Sequence, residues 1–443
     1  MIAPGLQRRL GHWLTPRQWQ RRVVLWAGAA GAGGIAVLFA RGSDQALKLF
    51  HGAAAASPFW SWLAPPIGLT LVTWLTRTVF RGTEGSGIPQ TIAALSSTTE
   101  QARHRLLSLR IAFGKLLLTL IALASGASVG REGPTVQIGA SILYSIRRWA
   151  RFPTQDVERG LILAGGAAGV AAAFNTPLAG VVFAIEELSR SFEERTSGTI
   201  LTAVILAGVA SMALAGNYTY FGSTHATLTD IRMWIDVPVC GVAGGIAGGV
   251  FSRAMIGCQR GLPAPILRLR NNSPLVFAFA CGLGVALLGW ASSGATFGTG
   301  YAEARALVQQ EAGPTQGFAI LKALATLLSY LSGVPGGIFA PSLSVGAGIG
   351  GELSRWLHTA PAGAIVVLTM AAYFAGVVQA PLTALVIVTE MTDSRNLTLP
   401  LMAVVLIGRG ASAIVCRESL YRALAIPFME AQEDPIAVAR REQ

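Results

Sequence analysis

An arginine and a glutamate stand beside one of the most apolar parts of this chain. Arg131 and Glu132 follow Leu116–Val129, a stretch that carries no charged residue. Placing a charge at membrane depth costs about 2.5–3.5 kcal/mol on insertion scales, so such residues suggest a functional site. They belong to the run GREGP, Gly130–Pro134, which predicts a helix N-terminus where the dipole would stabilise a carboxylate or an anion. A mutually neutralised Arg–Glu pair is the structural alternative.

Two further Gly/Pro runs can offer donors to an anion without carrying a charge. Gly85–Pro89 (GSGIP) combines permissive glycines with the hydroxyl of Ser86, and its proline suits the first turn of a helix. Gly336–Pro341 (GGIFAP) offers backbone N–H groups beside an apolar wall. Helix N-termini of this kind bind anions through their N–H groups and dipole. Each run taken singly is also compatible with an ordinary loop-to-helix turn or a close-packed glycine turn.

The composition places these runs in a membrane protein. Of the 443 residues, 52% are hydrophobic and 13% are charged, whereas soluble domains carry roughly 25% charged residues. A spanning helix needs about 20 mostly apolar residues. Several stretches of at least about this length contain no Asp, Glu, Lys or Arg: Val23–Ala40, Gly160–Ile185, Asn271–Ala302, Ala323–Gly351 and Thr359–Thr389. We take the first of these as the first span.

The positive charge is grouped beside apolar runs, which argues against a nucleic-acid partner. The formal net charge is +12. Arginines with no acid among them precede the first apolar run: Arg8, Arg9, Arg17, Arg21 and Arg22. This positive-inside pattern predicts a cytoplasmic N-terminus and a multi-pass protein of the cell membrane, the inner membrane in a bacterium. Four widely separated cysteines predict neither a metal site nor a disulfide framework, and no cofactor is expected.

An internal repeat relates the two halves of the chain. Pro177 and Pro381 open similar apolar segments, and each is followed nine residues later by a glutamate, Glu186 or Glu390. The two prolines are therefore 204 residues apart, and so are the two glutamates. The prolines of GREGP and GGIFAP are 207 residues apart. Two matches in the same order predict a transporter built from repeats, in which substrate sits near the mid-plane where interrupted helices meet.

The order GSGIP, GREGP, GGIFAP and then a tyrosine, Tyr421, near the C-terminus resembles the CLC family of chloride channels and chloride/proton antiporters. The likeness is to the prokaryotic type without C-terminal CBS domains. It implies an all-α polytopic membrane fold with about 17–18 helices in two inverted structural repeats, assembled as a homodimer. The chain then divides into a cytoplasmic segment (1–22), a transport domain (23–426, with halves at about 20–215 and 230–425) and a short tail (427–443).

The resemblance also implies an anion pathway. A central chloride would receive hydroxyl groups from Ser86 and Tyr421 and backbone N–H groups from Ile338 and Phe339, with Gly85 in the same turn as Ser86. Neutral donors suit this task, because transport requires binding that is strong enough to admit the ion and weak enough to release it. The implied partners are chloride, protons, the lipid bilayer and a second copy of the chain.

Proton coupling is implied for two carboxylates. Glu132 would be the gating glutamate, competing with chloride when ionised and carrying the proton on the outer side, with backbone groups around Arg131 and Gly133 holding the outer anion. Glu187 aligns with the inner proton glutamate of exchangers, and Lys115 aligns with an intramembrane lysine. The function implied is exchange of chloride for protons, and not an enzymatic reaction.

Purely structural roles are the alternative for several of these side chains. Glu186 and Glu187 would be helix-end carboxylates if they pair with Arg190 or Arg195, and Lys115 would snorkel toward the cytoplasmic face. Tyrosines also lie commonly at the membrane–water interface, which is the alternative for the tyrosine near the C-terminus.

Other functions also compete with chloride/proton exchange. A passive chloride channel is an alternative, although channel members of the family usually lack an ionisable residue at the Glu187 position. A broader, nitrate-tolerant selectivity is another, although nitrate preference accompanies proline at the Ser86 position. A fluoride exporter would depart from GSGIP and from the tyrosine. Some members have an acid soon after the GSGIP proline, where this chain has Gln90, Thr91 and Ile92. A serine hydrolase is disfavoured, because the G-x-S-x-G match at Gly126–Gly130 needs a strand–turn–helix setting and a histidine base, and the five histidines are scattered.

Overall fold

The structure is a computed structural model, and it describes residues 16–150, 155–189, 194–216, 219–224, 226–311 and 313–433. Most of the predicted segment 1–22 and most of the predicted tail 427–443 lie outside these ranges. Within them the secondary structure is helical and contains no β-strand, only two isolated bridges between loops. The predicted all-α polytopic fold is confirmed.

The first half of the chain begins with two long helices, and its next-to-last helix continues into a π-helical turn. Its helices are α1 (Pro16–Ala56), α2 (Pro58–Thr78), α3 (Ile88–Ser96), α4 (Glu100–Leu106), α5 (Leu109–Ala124), α6 (Glu132–Ala150), α7 (Gln155–Phe174), α8 (Pro177–Phe183, continued by the π-helix Ala184–Ser189) and α9 (Glu194–Ala215).

The second half is also helical and closes with a helix that carries Tyr421. Its helices are α10 (Asp236–Arg260), α11 (Ala264–Asn272), α12 (Pro274–Ala291), α13 (Tyr301–Val308), α14 (Phe318–Leu331), α15 (Phe339–Leu353), α16 (Ala362–Val378), α17 (Pro381–Thr392), α18 (Thr398–Val415) and α19 (Leu420–Glu433). Across the described residues, seven helices are long and apolar enough to cross a membrane.

Helix α1 is longer than the predicted first span. The prediction ended at Ala40 because charged residues follow, but the helix continues to Ala56. Two of those charges have partners inside the protein: Arg41 donates to the carbonyl of Leu214, and Asp44 accepts from Arg131. A charge that is partnered in this way does not force the helix to leave the membrane.

Close helix packing depends on small residues. Helices α6 and α7 pack together, as do α10 and α18. A Cβ atom on Gly139 would lie 2.3 Å from the carbonyl oxygen of Gly165, and one on Gly245 would lie 2.3 Å from that of Gly408. Glycine at these positions therefore allows the backbones to approach, as is common between membrane helices. The apolar helix α16 lies at the centre of this packing, and its side chains from Gly363 to Val378 are all buried.

The repeat is visible as a reciprocal pair of helix caps. Glu186 accepts two hydrogen bonds, of 3.2 and 2.6 Å, from backbone N–H groups in the first turn of α17. Glu390 makes the equivalent bonds, of 3.4 and 2.9 Å, with the first turn of α8. Glu186 is therefore a helix-end carboxylate whose described partners are backbone groups of the other half, and its pairing with Arg190 or Arg195 stays a prediction. The side chains of Arg190 and Arg195 lie outside the described residues.

Candidate functional site

The three Gly/Pro runs meet in space through backbone hydrogen bonds. Gly130 and Gly337 exchange two bonds, with N–O distances of 2.6 and 2.7 Å. Gly336 donates to the carbonyl of Gly85 at 3.1 Å. Because Gly130 and Gly337 hold equivalent positions in the repeat, their reciprocal bonds are those expected of two residues related by a local two-fold axis. GREGP, GGIFAP and GSGIP are therefore joined at one place.

Glycine is required for this close approach. A Cβ atom on Gly133 would lie 2.4 Å from the hydroxyl of Ser86, and one on Gly87 would lie 2.6 Å from the carbonyl oxygen of Gly133. Gly87 also has φ of +102°, a conformation that favours glycine. The hydroxyl of Ser86 is thereby placed directly against the GREGP turn.

Lys115 holds the segment that leads into GSGIP. Its Nζ atom donates to the carbonyls of Thr83, Glu84 and Gly85, at distances of 2.8, 3.2 and 2.8 Å. The side chain is fully buried. The alternative that Lys115 snorkels to the membrane surface is therefore wrong, because the ammonium group has three acceptors inside the protein.

Gln90 closes the same turn from the other side. Its Oε1 accepts a hydrogen bond of 2.9 Å from the N–H of Gly87, and its Nε2 donates to the carbonyl of Glu84. The side chain is buried. The stretch after the GSGIP proline, where some family members have an acid, thus contains a neutral side chain that shapes the loop.

Three helices begin at the junction of these turns. Helix α3 begins at Ile88, α6 at Glu132 and α15 at Phe339, with Ile338 as the N-cap residue of α15. The first N–H groups of a helix have no partner within it, and the dipole makes this end positive. The junction therefore gathers the groups that bind anions in other proteins.

Glu132 folds back into this junction. Its side chain is buried, and a Cβ atom on Gly130 would lie 2.4 Å from Oε2. Oε1 accepts a hydrogen bond from the hydroxyl of Tyr301, and the backbone N–H groups of Glu132 and Ala340 also interact with the carboxylate. Among the described residues, Oε2 makes no hydrogen bond of standard geometry. The carboxylate thus lies where the helix ends of α6 and α15 meet.

Two buried hydroxyls lie near the same junction. Ser86 and Tyr421 are 1% and 0% exposed, and neither hydroxyl has a hydrogen-bond partner among the described residues. Helix α19 packs against α3, and the ring of Tyr421 lies parallel to that of Phe339 at a centroid distance of 6.5 Å. Tyr421 is therefore not an interfacial tyrosine. Buried polar groups without a protein partner are uncommon and call for an explanation such as a ligand.

Glu187 lies next to the beginning of α19. It is 0% exposed, and its Oε1 lies 3.3 Å from the hydroxyl of Ser419, two residues before Tyr421. The π-helical turn at Ala184–Ser189 carries Glu187. This carboxylate and that of the preceding Glu186 therefore form hydrogen bonds with different neighbours. The structure brings Glu187 to the beginning of the helix that carries the tyrosine.

Arg131 lines a cavity next to Glu132. It forms a salt bridge of 2.7 Å with Asp44, and its guanidinium carbon lies 5.1 and 5.6 Å from the ring centroids of Tyr220 and Tyr301. These residues line a cavity of about 780 Å³. Cation–π contacts and the ion pair hold the guanidinium beside the rings.

The comparison with known families agrees with this arrangement. A family profile described as "Voltage gated chloride channel" matches residues 68–413. The chain belongs to this family, the CLC family. The resemblance stated from the sequence motifs is confirmed, and the chain is a multi-pass member of a family of membrane transport proteins.

Relatives include proton-coupled members of the CLC family. The chain is 30% identical over 334 residues to the H(+)/Cl(-) exchange transporter ClcA of Cronobacter sakazakii, covering 72% of this chain and 69% of that protein. The crystal structure of a slow cyanobacterial Cl-/H+ antiporter matches with a TM-score of 0.81 and 25% identity, over 95% of this chain and 100% of that one. A CLC-type fluoride/proton antiporter shares the fold with a TM-score of 0.76 and 22% identity, over 90% of this chain and 97% of that one.

Tyr301 was missed in the sequence, although the CLC repeat contains a signal for it. Lys322 lies 207 residues after Lys115. Its Nζ donates to the carbonyls of Thr296 and Gly298 at 2.9 and 2.7 Å, as Lys115 does before GSGIP. The run Gly298-Thr299-Gly300 that precedes Tyr301 therefore corresponds to Gly-Ser-Gly in the first half. Extending the repeat to this run would have indicated Tyr301.

Proposed function

We propose that this protein exchanges chloride for protons across the cell membrane and that Glu132 is its gate. The observation that carries the proposal is the burial of the Glu132 carboxylate at the junction of three helix N-termini. The salt bridge of Arg131 is with Asp44, and among the described residues no salt bridge joins a cation to Glu132. In a site built to favour anions, an ionised carboxylate competes with chloride for the same donors.

The mechanism follows from that competition. Ionised, Glu132 occupies an outer anion position held by backbone groups around Arg131 and Gly133. Protonated, it loses its attraction for the positive helix ends and gives the position to chloride. Proton uptake and anion passage are then linked through one group, a local charge change on a small movable element.

A second anion position lies deeper, at Ser86 and Tyr421. Their unpartnered hydroxyls, together with the N–H groups of Ile338 and Phe339, form a set of neutral donors, and Gly85 shapes the turn that presents Ser86. Neutral donors favour an anion without trapping it, which suits repeated entry and release.

Exchange is favoured over passive conduction by Glu187. The side chain is a fully buried carboxylate near Tyr421, where it can pass a proton between the inner solution and the pathway. The relatives described as H(+)/Cl(-) exchange transporter and Cl-/H+ antiporter support the same choice. A passive CLC-type chloride channel is the second candidate.

The two candidates differ in reversal potential. Purified protein in liposomes is placed under opposed chloride and proton gradients. A coupled exchanger has a reversal potential that moves with both gradients, whereas a channel follows chloride alone, at about 59 mV for a tenfold gradient. A potential that ignores the proton gradient would reject exchange and leave the channel.

We also propose a homodimer with a cytoplasmic N-terminus. Leu178 and Leu382 are 65% and 57% exposed on α8 and α17, the two helices joined by the reciprocal glutamate caps. Together they offer an apolar surface that spans both repeats. Light scattering of the purified protein should give the mass of two chains, and a mass of one chain would reject this assembly.

Replacing Ser86 by proline tests the deeper anion position. Ser86→Pro removes the hydroxyl donor and should raise nitrate transport relative to chloride transport several-fold, measured as flux ratios in liposomes. Ser141→Ala, which removes another buried hydroxyl, is the matched control and should keep the wild-type ratio. An unchanged ratio in Ser86→Pro would mean that Ser86 is not a ligand.

Replacing Tyr301 by phenylalanine tests the contact with Glu132. The hydroxyl of Tyr301 stabilises the ionised carboxylate, and a hydrogen bond to a charged group contributes about 1.5–3 kcal/mol. Its loss favours the protonated form, so chloride transport should be activated at a pH about one to two units higher.

The matched control for Tyr301→Phe is Tyr220→Phe. The two rings are neighbours, with centroids 4.2 Å apart, and the hydroxyl of Tyr301 is the one that binds the carboxylate. The pH profile of Tyr220→Phe should stay close to that of the wild type. Equal profiles for all three proteins would contradict a role for Tyr301 at the gate.

A further inference from the structure

A second cavity shares no lining residue with the proposed chloride pathway. It has a volume of about 950 Å³ and is enclosed by α1, the loop after α2, the α4–α5 loop and the end of α6. Apolar residues of α1 form one wall, and no Asp or Glu is among the described residues that line the cavity. Its lining includes six basic side chains: Arg81, His104, Arg105, Arg110, Arg147 and Arg148.

Most of this positive charge is not neutralised by the protein. Arg147 and Arg148 are the exceptions: Arg147 is buried and paired with Glu100 and Glu158, and Arg148 lies 4.0 Å from Glu100. In the described part of the chain, no carboxylate forms a salt bridge with Arg81, Arg105 or Arg110. The three arginines are exposed at the rim and give it a net positive charge.

We propose that this cavity binds an anionic phospholipid, with its phosphate at the arginines and an acyl chain against α1. Basic pockets between membrane helices bind acidic headgroups, and an apolar wall suits a chain. Exposed Val23 and Leu109 lie at its edges, and Trp149, 72% exposed, marks the interface.

The N-terminal segment of the chain is a less suitable occupant of this cavity than an anionic lipid. Residues 1–15 precede α1 and carry Arg8 and Arg9 with no acidic residue. Their charge has the same sign as that of the rim, so this segment would be repelled where a phosphate is attracted.

Native mass spectrometry of the full-length protein tests the headgroup contact. The protein is first held in an equimolar mixture of phosphatidylglycerol and phosphatidylcholine. It is then released from the mixture in the mass spectrometer, and the lipids that stay bound to it are counted. Arg105→Gln/Arg110→Gln should retain about tenfold less phosphatidylglycerol than the wild type. Arg253→Gln/Arg268→Gln, an equal loss of charge at exposed arginines outside the cavity, should retain the wild-type amount.

A glycine variant tests the apolar wall without changing the charge. A Cβ atom on Gly31 meets no atom within 4 Å, so Gly31→Leu fills the cavity without displacing the protein. It should also lower the retention of phosphatidylglycerol several-fold. Gly52→Leu, at an equally open position on the same helix, is the control and should not.

Three results would overturn the proposal. Equal retention of both lipids by the wild type would make the cavity a non-selective apolar groove. Wild-type retention in both cavity variants would place the lipid elsewhere. Displacement of the lipid by millimolar inorganic phosphate, with Gly31→Leu unaffected, would indicate a site for the free anion instead.

Discussion

Glutamine at position 132 is expected to abolish proton transport while chloride continues to permeate. Glu132→Gln mimics the protonated carboxyl group and cannot carry a proton. Its amide oxygen can still accept from Tyr301, so the junction should keep its shape. The reversal potential in liposomes should move to that of the chloride gradient, about 59 mV for a tenfold gradient. Most of the pH dependence of the chloride flux should disappear.

The same variant has a structural consequence. With the negative charge removed, an anion should take the former place of the carboxylate, where the ends of α6 and α15 meet. A crystal of Glu132→Gln grown in bromide should show anomalous density there. Glu303→Gln, which removes a carboxylate near Lys322 in the second half, is the control and should couple normally. Normal coupling in Glu132→Gln would mean that the gate is elsewhere.

The start of a helix at each of the three Gly/Pro runs follows from features that are local in the sequence. Glycine at positions 87 and 133 is needed because side chains would clash, and the proline after each turn favours the start of a helix. The repeat then pairs Gly130 with Gly337 across the local axis. The helix starts were therefore predictable from short segments, whereas a common site for the three runs was implied by the family resemblance.

The surroundings of Glu132 could not be obtained in that way. Asp44 reaches Arg131 from α1, and Tyr301 reaches Glu132 from α13, 169 residues away in the chain. Such contacts depend on how helices pack, and no spacing in the GREGP run encodes them. The position of Arg131 beside Tyr220 is a consequence of the same packing.

The sequence did not indicate the partners of two charged residues that bind backbone groups. One alternative for Lys115 is a side chain that snorkels toward the cytoplasmic face. Its ammonium group instead donates hydrogen bonds to carbonyl groups of the segment that leads into GSGIP. Glu186 likewise binds N–H groups of α17. Backbone donors and acceptors are present at every residue, so the sequence does not indicate which of them will serve a charge.

The second large effect is expected at Glu187, the other buried carboxylate of the pathway. Glu187→Gln should reduce proton transport to the background leak while chloride still moves. The glutamine can accept from Ser419 as the glutamate does, so α19 and Tyr421 should stay in place. Proton flux driven by a chloride gradient in liposomes is the measurement. Gln90, bound to Gly87 and Glu84, is neutral and cannot replace the lost proton carrier.

The pH dependence of chloride flux separates this variant from the one at the gate. Glu132 still titrates in Glu187→Gln, so the chloride flux should keep its pH profile, whereas Glu132→Gln should lose it. Ser419→Ala is the control, because it removes the hydrogen bond to Glu187 and retains the carboxylate; it should still transport protons. If Glu187→Gln transports protons at the wild-type rate, the inner proton route does not pass through Glu187. If the wild type itself moves no protons under a chloride gradient, the protein is a channel and its buried Glu187 has a structural role.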